Sequence, residues 1–88
     1  MEKSDDLNFK ALLEKNYHFP CHYLFKFVLP MGKRGELMAI LGQGEVVKER
    51  PSRTGRYIGL TFSRMFQSSD EILSVYRAAG RLKGVMAL

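Results

Sequence analysis

The chain has 88 residues and a mass of 10.1 kDa, enough for one domain and one core but not for a separate deep substrate cavity, because a chain this size buries only about 60% of its unfolded surface. A composition of 45% hydrophobic and 26% charged residues is that of a folded globular chain and excludes wholesale disorder. The net charge of +5, with a pI near 9.6, admits an anionic partner without requiring one.

Asp5 or Asp6 is placed to cap a short N-terminal helix with Phe9, Leu12 and Leu13 on one face and Asn16 as its stop. The apolar triplet predicts docking rather than fraying. After Phe19-Pro20, the run Cys21 to Leu29 is aromatic and β-branched enough for a strand. Alternation puts Tyr23, Phe25, Phe27 and Leu29 on a core face, and His22, Leu24, Lys26 and Val28 on the other. Pro30-Met31-Gly32 ends it. Lys33 to Leu41 then presents Leu37, Ile40 and Leu41 at helical spacing, closed by Gly42 and Gly44.

Glu45 to Arg50 alternates weakly and reads as a second strand. Pro51-Ser52-Arg53-Thr54-Gly55 is a turn cluster. Arg56 to Met65 is the clearest strand, with Ile58, Leu60 and Phe62 inward and Tyr57, Gly59, Thr61 and Ser63 outward. Strands joined by so short a turn pair as an antiparallel hairpin. Ser68-Ser69-Asp70-Glu71 carries a capping box, opening a helix with Ile72, Val75, Tyr76 and Ala79 on one face. Gly80 stands where a left-handed cap is expected, and Arg81 to Leu88 reads as a last strand.

The order after the first helix is βαββαβ. It predicts an α+β fold: a four-stranded antiparallel sheet with both helices on one face. The chain thus divides into a helical arm, residues 1–18, and a single domain, residues 19–88. The open sheet face is expected to carry Leu24, Lys26, Val28, Tyr57, Thr61 and Val46. Such a mixed face would leave an apolar patch on a monomer, and an isologous homodimer is the simplest way to cover it.

Cys21 is the lone cysteine, so the fold holds by packing alone, which suits a reducing, cytoplasmic compartment. The opening residues lack the order of a signal peptide. The longest apolar run, Tyr23 to Met31, is broken by Lys26 and Pro30 and falls short of the roughly 20 residues that span a bilayer. His18, Cys21 and His22 cluster at a strand entry but fall short of the about four ligands of a structural zinc site, so no metal and no cofactor are expected.

The βαββαβ order serves several chemistries, and each needs its own residues. A heavy-metal chaperone needs a Cys-x-x-Cys pair and is excluded. The loop Pro30-Met31-Gly32-Lys33-Arg34-Gly35 has the charge and glycines of an oxyanion cradle at a helix start. It lacks the longer acylphosphatase pattern and an Asn to place a water. Tyr57 could stack a nucleic-acid base, but Gly59 and Thr61 stand where an RNA-recognition motif wants a second ring. Ser52 and Ser63 have no evident His-carboxylate partners. The chain therefore reads as a non-enzyme.

Phe19-Pro20 followed by Lys26, then Pro51-Ser52-x-x-Gly55-x-Tyr57, then Tyr76-x-x-x-Gly80 and Met86-Ala87-Leu88, together resemble the YbeD-like proteins. These are small bacterial cytosolic proteins of unknown function. The resemblance runs from about Phe19 to Leu88. It implies a ferredoxin-like fold similar to the ACT regulatory domains of amino-acid metabolism, and it assigns no catalytic residue. The first helix and second strand are shorter than such proteins carry. That weakens the case for a ligand at the junction of the first strand and first helix, where ACT domains bind amino acids.

The charge is concentrated: from Lys48 to Arg64, five basic residues (Lys48, Arg50, Arg53, Arg56 and Arg64) face only Glu49, a net of +4. Together with Lys26, the residues Ser52, Arg53, Gly55, Arg56 and Tyr57 form the candidate contact surface. Turn geometry alone accounts for Pro51 and Gly55; Arg53 and Arg56 have no structural need. The expected function is a non-enzymatic regulatory or protein-interaction module, working on a protein partner or a small metabolite. The alternative is a nucleic-acid-binding module that uses the basic hairpin.

Overall fold

The computed structural model describes residues 3–88, with side chains from Asn8 onward. Its elements are α1 (Lys3–Asn16), β1 (Cys21–Pro30), a 3-10 turn (Met31–Lys33) leading into α2 (Arg34–Leu41), β2 (Glu45–Pro51), β3 (Tyr57–Phe66), α3 (Ser69–Gly80) and β4 (Met86–Ala87). The sheet order is β2-β3-β1-β4, all neighbours antiparallel, which is the ferredoxin-like α+β arrangement expected from the βαββαβ order.

Alternation along β1 and β3 builds the core. Phe25 lies opposite Phe62 and Phe27 opposite Leu60, and all four are buried together with Leu29, Phe66, Leu37, Leu41 and Ile72. Full burial of side chains of this size stabilises by roughly 1.5–3 kcal/mol each. The rings interlock: Phe25 and Phe27 stack at 5.6 Å, and Tyr76 meets Phe25 edge-on at 4.9 Å.

α3 opens as its sequence predicts. Ser68 Oγ accepts from the Glu71 amide, while Glu71 Oε1 accepts from the Gln67 amide, one residue ahead of the usual partner. α1 docks on α3. Leu13 is buried in the common core, and Phe9 meets Tyr76 edge-on at 5.5 Å. The Ser69 hydroxyl donates to Glu14 at 2.8 Å, which satisfies a polar group that docking buries. Asn16 ends the helix, its Nδ2 donating to the Leu12 carbonyl.

Four details differ from the sequence expectation. α1 already contains Asp5 and Asp6, so neither precedes its first turn; their side chains lie outside those described. Gly80 is the last helical residue and has no positive φ, and the left-handed glycine comes later, at Gly84. The last strand is Met86–Ala87 rather than Arg81 to Leu88. The chain first leaves α3 through tight turns, in which Leu82 N–H donates to Ala79 and Val85 N–H to Leu82. Finally, Val46 lies opposite Phe62 on the helix side, not on the open face. A bulge between Val46 and Lys48 then reverses the alternation, because an extra residue shifts every later side chain to the other face.

Candidate functional site

The hairpin tip is a closed hydrogen-bonded turn. Ser52 N–H donates to the Tyr57 carbonyl at 2.8 Å, and Tyr57 N–H donates back to Ser52 Oγ at 3.2 Å. Gly55 N–H donates to the Ser52 carbonyl, and Gly55 takes φ 76°, a conformation open to glycine at no steric cost. Ser52 and Gly55 are thus turn builders. The Arg56 carbonyl accepts from Met31 N–H, tying the tip to the turn before α2. The side chains of Arg53, Arg56 and Tyr57 remain exposed around this frame.

Lys26 is placed elsewhere. It lies opposite Thr61, whereas Tyr57 lies opposite Pro30, four register steps away, or about 13 Å along the strands. The six candidates therefore separate into turn builders, an exposed tip and a central position on the open face. What links tip and centre is a pair from the basic stretch that the sequence does not place on the candidate contact surface. Lys48 lies opposite Thr61 and Arg50 opposite Gly59, so both share the open face with Lys26. One row runs Lys26–Thr61–Lys48 across three strands and the next Val28–Gly59–Arg50. The consecutive Val46-Val47 is the sequence trace of the bulge that put them there.

Electrostatics reinforce this layout. Glu49, the acid within the basic stretch, faces the helix side and takes a two-pronged hydrogen bond from Arg34, at 2.9 and 2.7 Å. That bond holds the Glu49 carboxyl below its usual range and the Arg34 guanidinium above its own. Arg64 is likewise committed, donating to the Leu41 carbonyl at 2.9 Å and lying over the Phe66 ring at 4.7 Å. The side chains of Lys26, Lys48, Arg50, Arg53 and Arg56 carry no hydrogen bond or ion pair among the described residues. With Arg34 engaged, the loop after β1 has no free arginine to cradle an oxyanion. Among the described residues no cluster of His, Cys, Asp and Glu could hold a metal ion, and no helix is long and apolar enough to cross a membrane.

Apolar groups share the face with these cations. Leu24 is 53% exposed, Tyr57 48%, Met65 46% and Met86 60%. A profile of the DUF493 family, described as proteins of unknown function, matches residues 14–88. The chain belongs to that family. The DUF493 match takes in all four strands, α2 and α3, and begins at Glu14, the α1 residue that receives the Ser69 hydroxyl. No curated protein and no solved structure matches the chain.

Proposed function

We propose that this DUF493 chain is a non-enzymatic regulatory module that engages an acidic protein partner through its open sheet face. The supporting observation is the composition of that face: Leu24, Tyr57, Met65 and Met86 stand exposed around Lys26, Lys48 and Arg50, with the acid Glu45 in the adjacent Leu24–Ser63 row. An apolar patch rimmed by charge is the make-up of a protein contact. A second copy of the chain fits less well, because two-fold pairing would set cations against cations. The commitment of Arg34 to Glu49 and of Ser52 to its turn supports a non-catalytic role.

Site-specific photo-crosslinking tests the reading. A crosslinker at Thr61, in the centre of the face, is expected to capture one discrete protein, and Lys48→Glu with Arg50→Glu to abolish that capture. The same group at Ser74, exposed on α3, serves as the control. Equal capture from both positions, or capture indifferent to the charge reversal, would rule the face out.

One observation favours a second reading, single-stranded nucleic acid: Tyr57, Arg53 and Arg56 are all exposed at the same hairpin tip, the residue types of a stacking platform with cations. Under that reading RNA binding falls steeply with salt and is lost in Arg53→Ala/Arg56→Ala. The absence of any RNA shift at low salt would remove it.

A further inference from the structure

β1 holds an inner place in the strand order, yet β4 covers only part of its outer edge. The two pair at Phe27 and Val28, and Leu88 N–H donates to the Lys26 carbonyl at 2.8 Å. In an antiparallel ladder, alternate residues turn both main-chain groups toward the same neighbour. Since Lys26 turns toward β4, Leu24 and His22 turn that way too, and among the described residues no strand meets them. Native sheets blunt such edges with lysine, proline or a bulge. At His22 and Leu24 this edge has none of these.

Next to that edge, on the helix side, lies a groove of about 820 Å3. Its apolar lining comes from Phe9, Leu73 and the rings of Tyr23 and Tyr76, whose hydroxyls are hydrogen-bonded at 2.8 Å; exposed Arg81 supplies positive charge. Edge and groove are in register. Ala87, opposite Phe27, lines the groove. By alternation, a residue added in line with β4 opposite Tyr23 would face the same side and enter it.

We propose that this edge binds an extended peptide segment of a partner protein by strand addition. The peptide backbone pairs with His22 and Leu24 in line with β4. An apolar side chain opposite Tyr23 enters the groove against Phe9 and Tyr76, and an acidic neighbour meets Arg81. Main-chain bonds then supply affinity and the groove selects the side chain. Arg81 favours a peptide with acidic residues over a basic one. This contact uses the sheet edge and helix side, and stands apart from the open-face reading.

The test uses the full chain and a labelled seven-residue probe of alternating valines around a central phenylalanine, with glutamate at both ends. Binding is expected, with slowed hydrogen exchange at the Leu24 amide. Gly80→Leu should weaken it at least tenfold: a Cβ at Gly80 meets nothing within 4 Å, so the substitution is expected to keep the fold and to fill part of the groove that Gly80 lines. Leu24→Pro, which removes the outward donor, should do the same; should it unfold, a probe N-methylated opposite Leu24 makes the equivalent cut. Lys48→Glu with Arg50→Glu should leave peptide binding intact, which separates this contact from the open face. No binding by the wild-type chain, affinity unchanged by Gly80→Leu, or binding without protection of the Leu24 amide would each overturn the proposal.

Discussion

At Gly44 a single hydrogen in place of a methyl group decides how β2 begins. A Cβ there would lie 2.5 Å from the Ser63 carbonyl oxygen and 2.6 Å from the Phe62 ring, and both belong to β3 in the middle of the sheet. Neither can yield, so Gly44→Ala is predicted to cost about 1–3 kcal/mol. Gly35, in the first turn of α2, is the opposite case: a Cβ meets nothing within 4 Å, and Gly35→Ala should gain roughly 0.4–1 kcal/mol. Urea unfolding of the two variants should therefore bracket the wild type, and the reverse order would contradict the packing of β2 on Phe62. Tyr76 adds a pH dependence. Burial, and then its bond to the Tyr23 hydroxyl, raise its phenol well above the usual range. The unfolded chain gives up this proton first, so the contribution is intact below the unfolded value of about 10 and is lost as pH rises beyond it. Tyr76→Phe should accordingly flatten the alkaline limb of a stability–pH curve while costing about 1 kcal/mol at neutral pH for the unpaired Tyr23 hydroxyl. An unchanged alkaline limb would show that Tyr76 titrates alike in both states.

Among the elements, α1 shows how a helix of modest amphipathicity is held. Leu13 inserts into the common core while Phe9, Lys10 and Glu14 meet α3 at Tyr76, Asp70 and Ser69. Leu13→Ala is predicted to cost about 2–5 kcal/mol and to release α1 amides to exchange ahead of those in α3. Unchanged stability would mean that α1 rests on the domain without supporting it. The elements legible in the sequence are those whose side chains repeat with a clean period. β1 and β3 alternate around Phe25, Phe27, Leu60 and Phe62, and α3 carries both cap and stripe. What was not legible depended on a single residue out of phase or on partners distant in sequence. Val47 turns Lys48 and Arg50 to the open face, and no local signal specifies that Arg34 binds Glu49 and so leaves those cations uncompensated. The shortness of β4 has a similar cause. Val85, Met86 and Leu88 have strand-like types, but Arg81 to Val85 is spent leaving α3, with Gly84 at φ 84° against Pro30. Of the site, the exposure of Lys26, Arg53, Arg56 and Tyr57 could be read; the separation of Lys26 from the tip needed the register.

For the whole molecule, the question is why an exposed apolar face need not pair with itself. Its centre carries Lys26, Lys48 and Arg50, and a two-fold axis through that face would bring each set close to its copy. The chain as a whole is also cationic, at +5. Repulsion of this kind acts over the Debye length, about 10 Å at 0.1 M salt and about 3 Å at 1 M. The apolar contribution of Leu24, Tyr57, Met65 and Met86 persists at high salt, whereas the repulsion does not. Sedimentation equilibrium is therefore predicted to find a monomer at low ionic strength, with self-association growing as salt is raised. Replacing Lys26, Lys48 and Arg50 with glutamine should produce at low salt the association that the wild type shows only at high salt. A dimer that is tight at low salt and loosens as salt rises would mean that attraction between opposite charges holds the copies together. The open face would then be a self-association surface rather than one awaiting an acidic partner.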